Sequence, residues 1–147
     1  DLPPLGVGQI IFYQADRSIA KLESEPDERL QKIAGEACRQ CGRSTIPRVT
    51  VSGLRLRDLV ESVFLPSQSL LFWEGETSVP FAHWHTNSKP AHLIFGPEGG
   101  LSPEEILAFQ QKGIAMSSLG QRILRSELAV VVGTTLVEYA LGTTAEA

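Results

Sequence analysis

The residues best suited to chemistry lie in two short segments, and the first of these is a glycine-rich turn. Residues 96–100 (GPEGG) follow the apolar run 93–95. The glycines allow positive φ and let the backbone approach a ligand with no Cβ in the way. Ser102 and Glu105 have the spacing of a capping box, which predicts a helix that begins directly after the turn. Because open α/β sheets bind ligands at the carboxyl ends of their strands, this strand–turn–helix segment is a candidate ligand site.

The second segment, residues 119–127, again joins a predicted strand to a predicted helix. Its centre reads Arg122-Ile123-Leu124-Arg125. Apolar side chains in such a loop can form the wall of a pocket for a flat ring, while the arginines face a polar partner. The alternative is a loop tucked into the core, with its arginines paired to Glu98 or Glu127. The residues alone leave both interpretations open.

Short strands and helices must position these two segments. Apolar runs bounded by breaker residues predict buried strands at residues 9–13, 48–51, 69–73, 93–95 and 114–118. Apolar residues three and four apart predict helices at residues 27–41, 52–63, 103–112 and 127–141. Ser52 is predicted to cap the second helix, and residues 75–90 are predicted to form an irregular loop. The alternation predicts an α/β fold in which helices cover both faces of a parallel sheet.

The composition is that of an ordinary globular protein. Its 147 residues predict one domain, and 42% of them are hydrophobic. No apolar run approaches the ~20 residues that a membrane span needs, and the N-terminus lacks a signal pattern, so no membrane partner is expected. The two cysteines do not suggest a disulfide-stabilised secreted fold, so we expect a cytoplasmic protein. Cys38 and Cys41 have C-x-x-C spacing but lack a second pair of ligands, so no metal site is predicted.

Positive charge is concentrated in one stretch, although the net charge is −4. No acidic residue occurs between Glu36 and Asp58, whereas five arginines do: Arg39, Arg43, Arg48, Arg55 and Arg57. Such a cluster can neutralise nucleic-acid phosphates even in an acidic chain, and the candidates for this role are Arg39, Arg43 and Arg48. The alternative is a solvated charged face.

The last predicted helix is apolar on nearly every side. Gly133 and Glu138 interrupt it, and it is too short to span a bilayer. A helix of this kind is either buried in the core or part of a homodimer interface, and the sequence leaves the two open.

Four motifs occur in order along most of the chain. They are Asp16-Arg17-Ser18, Glu36-Ala37 with Gln40-Cys41-Gly42-Arg43 and Pro47, Gly96-Pro97-Glu98-Gly99-Gly100-Leu101-Ser102, and Ser118-Leu119-Gly120-Gln121-Arg122-Ile123-Leu124-Arg125-Ser126-Glu127. In type, order and spacing they resemble the RsmE family of 16S ribosomal RNA (uracil-N3)-methyltransferases, which belongs to the SPOUT superfamily. The resemblance extends over about residues 5–141.

The resemblance implies a parallel α/β sheet whose C-terminal part is tied in a deep trefoil knot, and a homodimer that pairs through the knots. It implies one catalytic domain over residues 1–147, with no counterpart of the family's N-terminal PUA-like β-barrel. The implied methyl donor is S-adenosylmethionine. The implied substrate is the N3 atom of uridine 1498 in 16S ribosomal RNA, either free or in the small ribosomal subunit. No metal is expected to take part.

Two loops are expected, from the same resemblance, to bind the cofactor. The first contains Phe95, Gly96, Pro97, Glu98, Gly99 and Gly100, and the second contains Leu119, Gly120, Ile123 and Leu124. Methyl transfer from a sulfonium needs the donor and acceptor in line and water excluded. The N3 proton of uracil is weakly acidic, so cationic side chains near the developing negative charge would assist its loss. The catalytic candidates are Arg17, Arg122 and Arg125, with Glu127 orienting one of them.

A second hypothesis is a non-catalytic dimer of the same fold that binds a nucleotide-like ligand or RNA without turnover. A test of methyl transfer in the presence of S-adenosylmethionine separates this hypothesis from the first.

Overall fold

The computed structural model describes residues 2–19, 27–76, 81 and 92–142. Within these residues the chain is an α/β domain of parallel strands and helices. The strands are β1 (Gln9–Gln14), β2 (Arg48–Arg55), β3 (Ser69–Phe72), β4 (His92–Phe95) and β5 (Ala115–Ser117). The helices are α1 (Asp27–Cys41), α2 (Leu56–Ser62), α3 (Pro103–Lys112) and α4 (Ser126–Ala140), and short 3₁₀ helices lie at Pro3–Leu5 and Pro66–Gln68.

The described strands form two parallel ladders rather than the single sheet that the sequence pattern predicts. β1 pairs with β2, and β3 lies between its neighbours in the order β4-β3-β5. A side-chain contact joins the ladders, since the Tyr13 hydroxyl on β1 donates to the Phe95 carbonyl at the end of β4. Because β3, β4 and β5 are parallel, their carboxyl ends share one edge, and both candidate segments begin there.

Helices cover both faces of the three-stranded ladder, as predicted. Leu71 and Ile94 belong to an apolar cluster with residues of α2 and α3, whereas Leu70 and Phe72 cluster with Val137 of α4. The side chains of successive β3 residues therefore point to opposite faces of the ladder, as expected for a strand that is buried on both sides. All four residues of β3 are buried, so β3 is the buried centre of the ladder.

The boundary between β2 and α2 differs from the prediction, and Ser52 does not cap a helix. β2 continues to Arg55, and α2 begins only after it. Ser52 lies within the strand, where its hydroxyl accepts from the Leu54 amide. The cause is tertiary pairing, because the register between β1 and β2 shifts just before the pair formed by Gln14 and Arg55. A strand irregularity of this kind is set by the partner strand and leaves no local signal.

The other described elements agree with the sequence pattern to within two residues. α1 has the predicted bounds, and Gly42 after it has φ +74°. The predicted capping box at the start of α3 is present, with Ser102 and Glu105 as its two members. The predicted irregular loop, residues 75–90, lies mostly outside the described residues.

α4 packs one side against the ladder and leaves another side exposed, so the interpretation of a fully buried core helix is wrong. At Gly133 a Cβ would lie 2.7 Å from Phe95 Cε1 and 2.9 Å from Phe72 Cε2, so α4 approaches the strands at a position that only glycine fits without a shift. The exposed large apolar side chains of α4 are Leu128, Leu136 and Tyr139.

Candidate functional site

The two candidate segments flank the carboxyl end of β3. The glycine turn, residues 96–100, follows β4, and the second loop, which in the structure comprises residues 118–125, follows β5. The ring of Phe72 at the end of β3 stacks on the ring of Phe95 with centroids 5.1 Å apart, and Leu119 packs in the same apolar cluster. The structure therefore brings the starts of both predicted cofactor loops together.

Only one glycine of the glycine turn adopts a left-handed conformation. Gly100 has φ +72°, and its amide donates to the Pro97 carbonyl at 2.9 Å. Gly99 is needed for a different reason, because a Cβ there would lie 2.4 Å from the carbonyl oxygen of Arg17. At Gly96 a Cβ would meet a neighbouring side chain at 3.2 Å. The glycine at position 99 thus allows the turn to pack closely against the chain segment that follows β1.

A buried carboxylate fixes the glycine turn to this segment after β1. Glu105 is 1% exposed, and its two oxygens accept the amide of Ser102 at 2.8 Å and that of Asp16 at 2.9 Å. The Ser102 hydroxyl accepts the Glu105 amide at 3.2 Å and donates to the Asp16 carboxylate at 2.9 Å. Arg55, at the end of β2, lies 3.9 Å from that carboxylate. We call Asp16, Ser102 and Glu105 the carboxylate network.

Tyr13 makes a second link between β1 and the glycine turn through its bond to the Phe95 carbonyl. Burial, and to a smaller extent the charge of Glu105, raises the pKa of Tyr13 above its usual value. The hydroxyl therefore remains protonated and continues to donate at ordinary pH. Together with the carboxylate network, this bond keeps Arg17 beside the glycine turn.

Arg17 borders a pocket of about 280 Å³ next to the glycine turn. The other walls of this pocket are Trp73, Leu101, Pro103 and Ile106. Leu101 and Ile106 are buried, whereas Arg17 is exposed. Within the described ranges, no hydrogen bond or ion pair joins the Arg17 guanidinium to another residue. As far as the described residues line it, the pocket thus combines apolar walls with one cationic side chain.

The second loop presents apolar side chains to solvent. Gly120 has φ +114°, and the position of a Cβ there is open. Ile123 is 83% exposed, and Leu124 is half-buried. The alternative of a loop tucked into the core is therefore wrong at Ile123. The role of Ile123 and Leu124 as a pocket wall stays a prediction.

The remaining catalytic candidates lie at the junction of the second loop and α4. Arg122, Arg125 and Glu127 are exposed, and Arg125 occupies the N-cap position of α4 without a side-chain capping bond. In the part of the chain that the structure describes, no ion pair joins either arginine to Glu127 or to Glu98. The orienting role of Glu127 stays a prediction.

The arginine-rich stretch is divided between the two ends of β2. Arg39 and Arg48 are exposed toward the amino end of the strand, whereas Arg55 and Arg57 lie at the carboxyl end with the glycine turn. Seven residue steps of extended strand separate its ends by up to about 23 Å. The RNA-binding candidates are therefore at the opposite edge from the proposed cofactor loops.

Arg43 makes structural contacts that the sequence did not predict. Its guanidinium donates to the carbonyls of Pro3 and Val7, each at 2.8 Å, and to that of Gly6 at 3.2 Å. These bonds fasten the N-terminal 3₁₀ helix to the end of α1. RNA binding by Arg39, Arg43 and Arg48 remains a prediction.

Three residues of the site were not identified from the sequence. Asp16 belongs to a motif of the resemblance, but its bond to Ser102 spans 86 positions and could not be inferred. The sequence does not distinguish Arg55 from the other arginines of the stretch. Its position at the end of β2, next to the Asp16 carboxylate, is visible only in the structure. Trp73 directly follows the buried strand β3. Because ligands bind at the carboxyl ends of parallel strands, this position in the sequence could have identified Trp73 as a site residue.

The described residues contain no group of three or more His, Cys, Asp or Glu side chains placed to hold a metal ion. Among them, Cys38 is buried and Cys41 is exposed, and both are free. None of the described helices is long and apolar enough to cross a membrane.

The fold is a parallel α/β domain with a candidate ligand site at the carboxyl ends of its strands. Comparison with known families gives the class of the domain. A model of the RNA methyltransferase domain matches residues 2–138. The chain belongs to this family of RNA methyltransferase domains.

Individual relatives agree with this assignment. The chain is similar to ribosomal RNA small subunit methyltransferase E of Bacillus subtilis, with 33% identity over 92% of this chain and 57% of the relative. Among solved structures, it is similar to Lpg2936 from Legionella pneumophila in complex with S-adenosylmethionine (TM-score 0.82, 29% identity, 95% of this chain and 58% of that one). The S-adenosylmethionine-bound ribosomal RNA small subunit methyltransferase E from Neisseria gonorrhoeae gives a TM-score of 0.80 at 26% identity, over 93% and 57%. The chain thus spans just over half the length of these relatives.

Proposed function

We propose that this chain is an S-adenosylmethionine-dependent RNA methyltransferase that methylates the N3 atom of a uridine in 16S ribosomal RNA. The observation that carries the proposal is the convergence of the glycine turn and the exposed second loop at the carboxyl end of β3. Membership of the RNA methyltransferase domain family, and similarity to two proteins solved with S-adenosylmethionine, support it. The proposed partner is 16S ribosomal RNA, free or in the small subunit, in the cytoplasm.

The residues at this edge fit the proposed cofactor. Exposed Ile123 and half-buried Leu119 and Leu124 offer apolar surface to a purine ring. The open space at Gly120 lets a ligand approach the backbone. The cofactor supplies an electrophilic methyl group bound to sulfur. The residues proposed to bind it are Phe95, Gly96, Pro97, Glu98, Gly99, Gly100, Leu119, Gly120, Ile123 and Leu124.

The side chains of this protein are proposed to act on the uracil. Its N3 atom is the nucleophile: the N3 proton passes to water before or as the new N–C bond forms, and the bond between the methyl group and the sulfonium sulfur breaks in the same displacement, with its electron pair left on sulfur. Arg17, kept beside the glycine turn, and Arg122 and Arg125 on the second loop are proposed to stabilise the developing negative charge on the base. A positioned guanidinium stabilises such charge without reorganisation at the moment of reaction. Glu127, in the first turn of α4, is proposed to orient one of the two loop arginines.

We further propose that two copies of the chain pair through α4 and that its C-terminal part forms a SPOUT-type trefoil knot. At 100° per residue, Leu128, Leu136 and Tyr139 lie within about 80° of one another around the helix axis. All three are exposed, at 51%, 37% and 76%, so α4 has an apolar face that the single chain leaves uncovered. The connection through α3 carries the chain from β4 on one side of β3 to β5 on the other, which is compatible with the knot.

Methyl transfer tests the proposed function. The chain is incubated with S-adenosylmethionine and small ribosomal subunits that lack the N3 methyl group, and the digested RNA is analysed for 3-methyluridine by mass spectrometry. We expect 3-methyluridine with wild-type protein and at least a tenfold lower rate with Arg122→Ala. Cofactor binding without any transfer would favour the non-catalytic hypothesis, and wild-type turnover by Arg122→Ala would remove Arg122 from the mechanism.

Sedimentation tests the proposed dimer. We expect the wild-type chain to be a dimer at micromolar concentration and Leu136→Glu to be a monomer, because a charge would be buried at the centre of the interface. Gln110→Glu, on the exposed side of α3, is the matched control and should leave the dimer intact. A monomeric wild-type chain would contradict the proposal.

A further inference from the structure

The pocket beside the glycine turn is separate from the surface proposed for the cofactor. Its walls are Arg17, Trp73, Leu101, Pro103 and Ile106. The second loop, which is described in full, contributes none of these walls. The pocket also lies on the α3 side of the ladder, since Trp73, Leu101 and Ile106 pack in the cluster that contains residues of α2 and α3.

We infer that this pocket receives an unpaired single-ring nucleobase of the RNA substrate. The inference rests on the proposed function and names the subsite that the target base would occupy. Proteins that bind single-stranded RNA stack its bases on aromatic side chains and contact them with apolar side chains. Trp73 supplies the aromatic surface here, and Leu101 and Ile106 supply the apolar contacts.

The size of the pocket agrees with this occupant. Sites for drug-sized ligands measure roughly 300–1,000 Å³. The pocket, at about 280 Å³, lies at the lower limit of that range, which is a size compatible with one ring.

Arg17 gives the pocket its charge complementarity. Among the five described residues that line the pocket it is the one charged side chain, and no other described residue pairs with its guanidinium. The oxygens of a pyrimidine base and its phosphate accept hydrogen bonds from guanidinium groups. The backbone at Arg17 is fixed, because its carbonyl lies against Gly99 and the preceding amide, that of Asp16, is bonded to Glu105.

Tryptophan fluorescence can report on this pocket directly. The sequence contains two tryptophans, Trp73 and Trp84, so Trp84→Phe leaves the pocket residue as the single reporter. This protein is titrated with a uridine trinucleotide and with the same trinucleotide carrying an abasic central residue, each with and without S-adenosylmethionine. The same variant is titrated with S-adenosylmethionine by calorimetry.

We expect the uridine trinucleotide to quench Trp73 saturably and the abasic form to bind at least about tenfold more weakly. Saturating S-adenosylmethionine should not displace the trinucleotide, because the two sites are distinct. Arg17→Met should weaken trinucleotide binding at least about tenfold and leave the affinity for S-adenosylmethionine within threefold. Arg57→Met, an exposed arginine at the same edge but outside the pocket, is the matched control and should change trinucleotide binding less than threefold.

Three results would overturn the inference: equal quenching by the abasic form, competition by S-adenosylmethionine, or wild-type trinucleotide affinity in Arg17→Met. The calorimetric result keeps the two proposals apart. Binding of S-adenosylmethionine without quenching by the trinucleotide overturns the base pocket and leaves the proposed function. Base-dependent quenching without any binding of S-adenosylmethionine supports the pocket and contradicts the proposed function.

Discussion

Replacing Glu105 with glutamine tests whether the buried carboxylate positions the glycine turn. The carboxylate accepts the Ser102 amide at 2.8 Å and the Asp16 amide at 2.9 Å. A glutamine side chain has the same shape but only one acceptor oxygen, and its amide group would present N–H to one of the two backbone amides. One of the two hydrogen bonds is therefore lost, and a buried donor is left without an acceptor.

The expected loss in the free energy of unfolding is about 2–4 kcal/mol. A hydrogen bond to a charged group contributes roughly 1.5–3 kcal/mol, and a carboxylate in the first turn of a helix contributes roughly 0.3–1 kcal/mol more. Glu105 is 1% exposed, so water cannot replace the missing acceptor. Because domains are stable by only roughly 5–15 kcal/mol, a loss of this size is readily measured.

Urea unfolding at neutral pH is the assay, and Glu104→Gln is the matched control. Glu104 lies in the same first turn of α3 but is exposed, so its substitution removes only the helix-terminus interaction of up to about 1 kcal/mol. Calorimetry should show that Glu105→Gln also binds S-adenosylmethionine more weakly, since the glycine turn is less fixed. Losses that agree within about 0.5 kcal/mol for the two variants would refute the role assigned to Glu105.

Three further predictions concern the packing and titration of the domain. Gly133→Ala should lower the free energy of unfolding by about 1–3 kcal/mol, because its Cβ would lie 2.7 Å from Phe95 Cε1. Gly53→Ala, where a Cβ meets nothing within 4 Å, should change it by less than about 0.5 kcal/mol, and urea unfolding of both variants checks the contrast. Tyr13→Phe should cost about 1 kcal/mol in the same assay, because the Phe95 carbonyl loses its donor. Burial lowers the pKa of His92 from 6.5, so the folded state binds fewer protons than the unfolded state. Stability should therefore be complete above about pH 6.5 and decrease as the pH falls toward the lowered pKa. Unfolding curves measured between about pH 7 and pH 5 test this, and His92→Gln should remove that part of the pH dependence.

Local signals predicted those elements whose ends are set by their own residues. The helix over residues 27–41 and its glycine terminator are such a case, and so is the capping box formed by Ser102 and Glu105. The start of α2 was misplaced because β2 pairs with β1 through an irregular register, and no residue near Ser52 records that pairing. The apolar side chains that α4 leaves exposed are proposed to contact a second copy of the chain, and no local sequence signal specifies such a contact.

The sequence predicted where the candidate site lies, but not the contacts that hold its residues in place. Residue types and the strand–turn–helix pattern located the glycine turn, and the resemblance joined it to the second loop. The contact of Gly99 with the Arg17 carbonyl, and the carboxylate network, depend on chain segments more than 80 positions apart. The requirement for glycine at position 99 is therefore steric and tertiary, whereas at Gly100 it is conformational.

Calorimetric titration of the chain with S-adenosylmethionine tests the central claim most directly, because that claim is a cofactor site formed by the glycine turn and the second loop. We expect saturable binding with one molecule per chain. Gly99→Ala should bind at least tenfold more weakly, because its Cβ would separate the turn from the Arg17 carbonyl, and Gly53→Ala should bind like the wild type. Absence of binding to the folded wild-type chain, or equal affinity in all three proteins, would contradict the account.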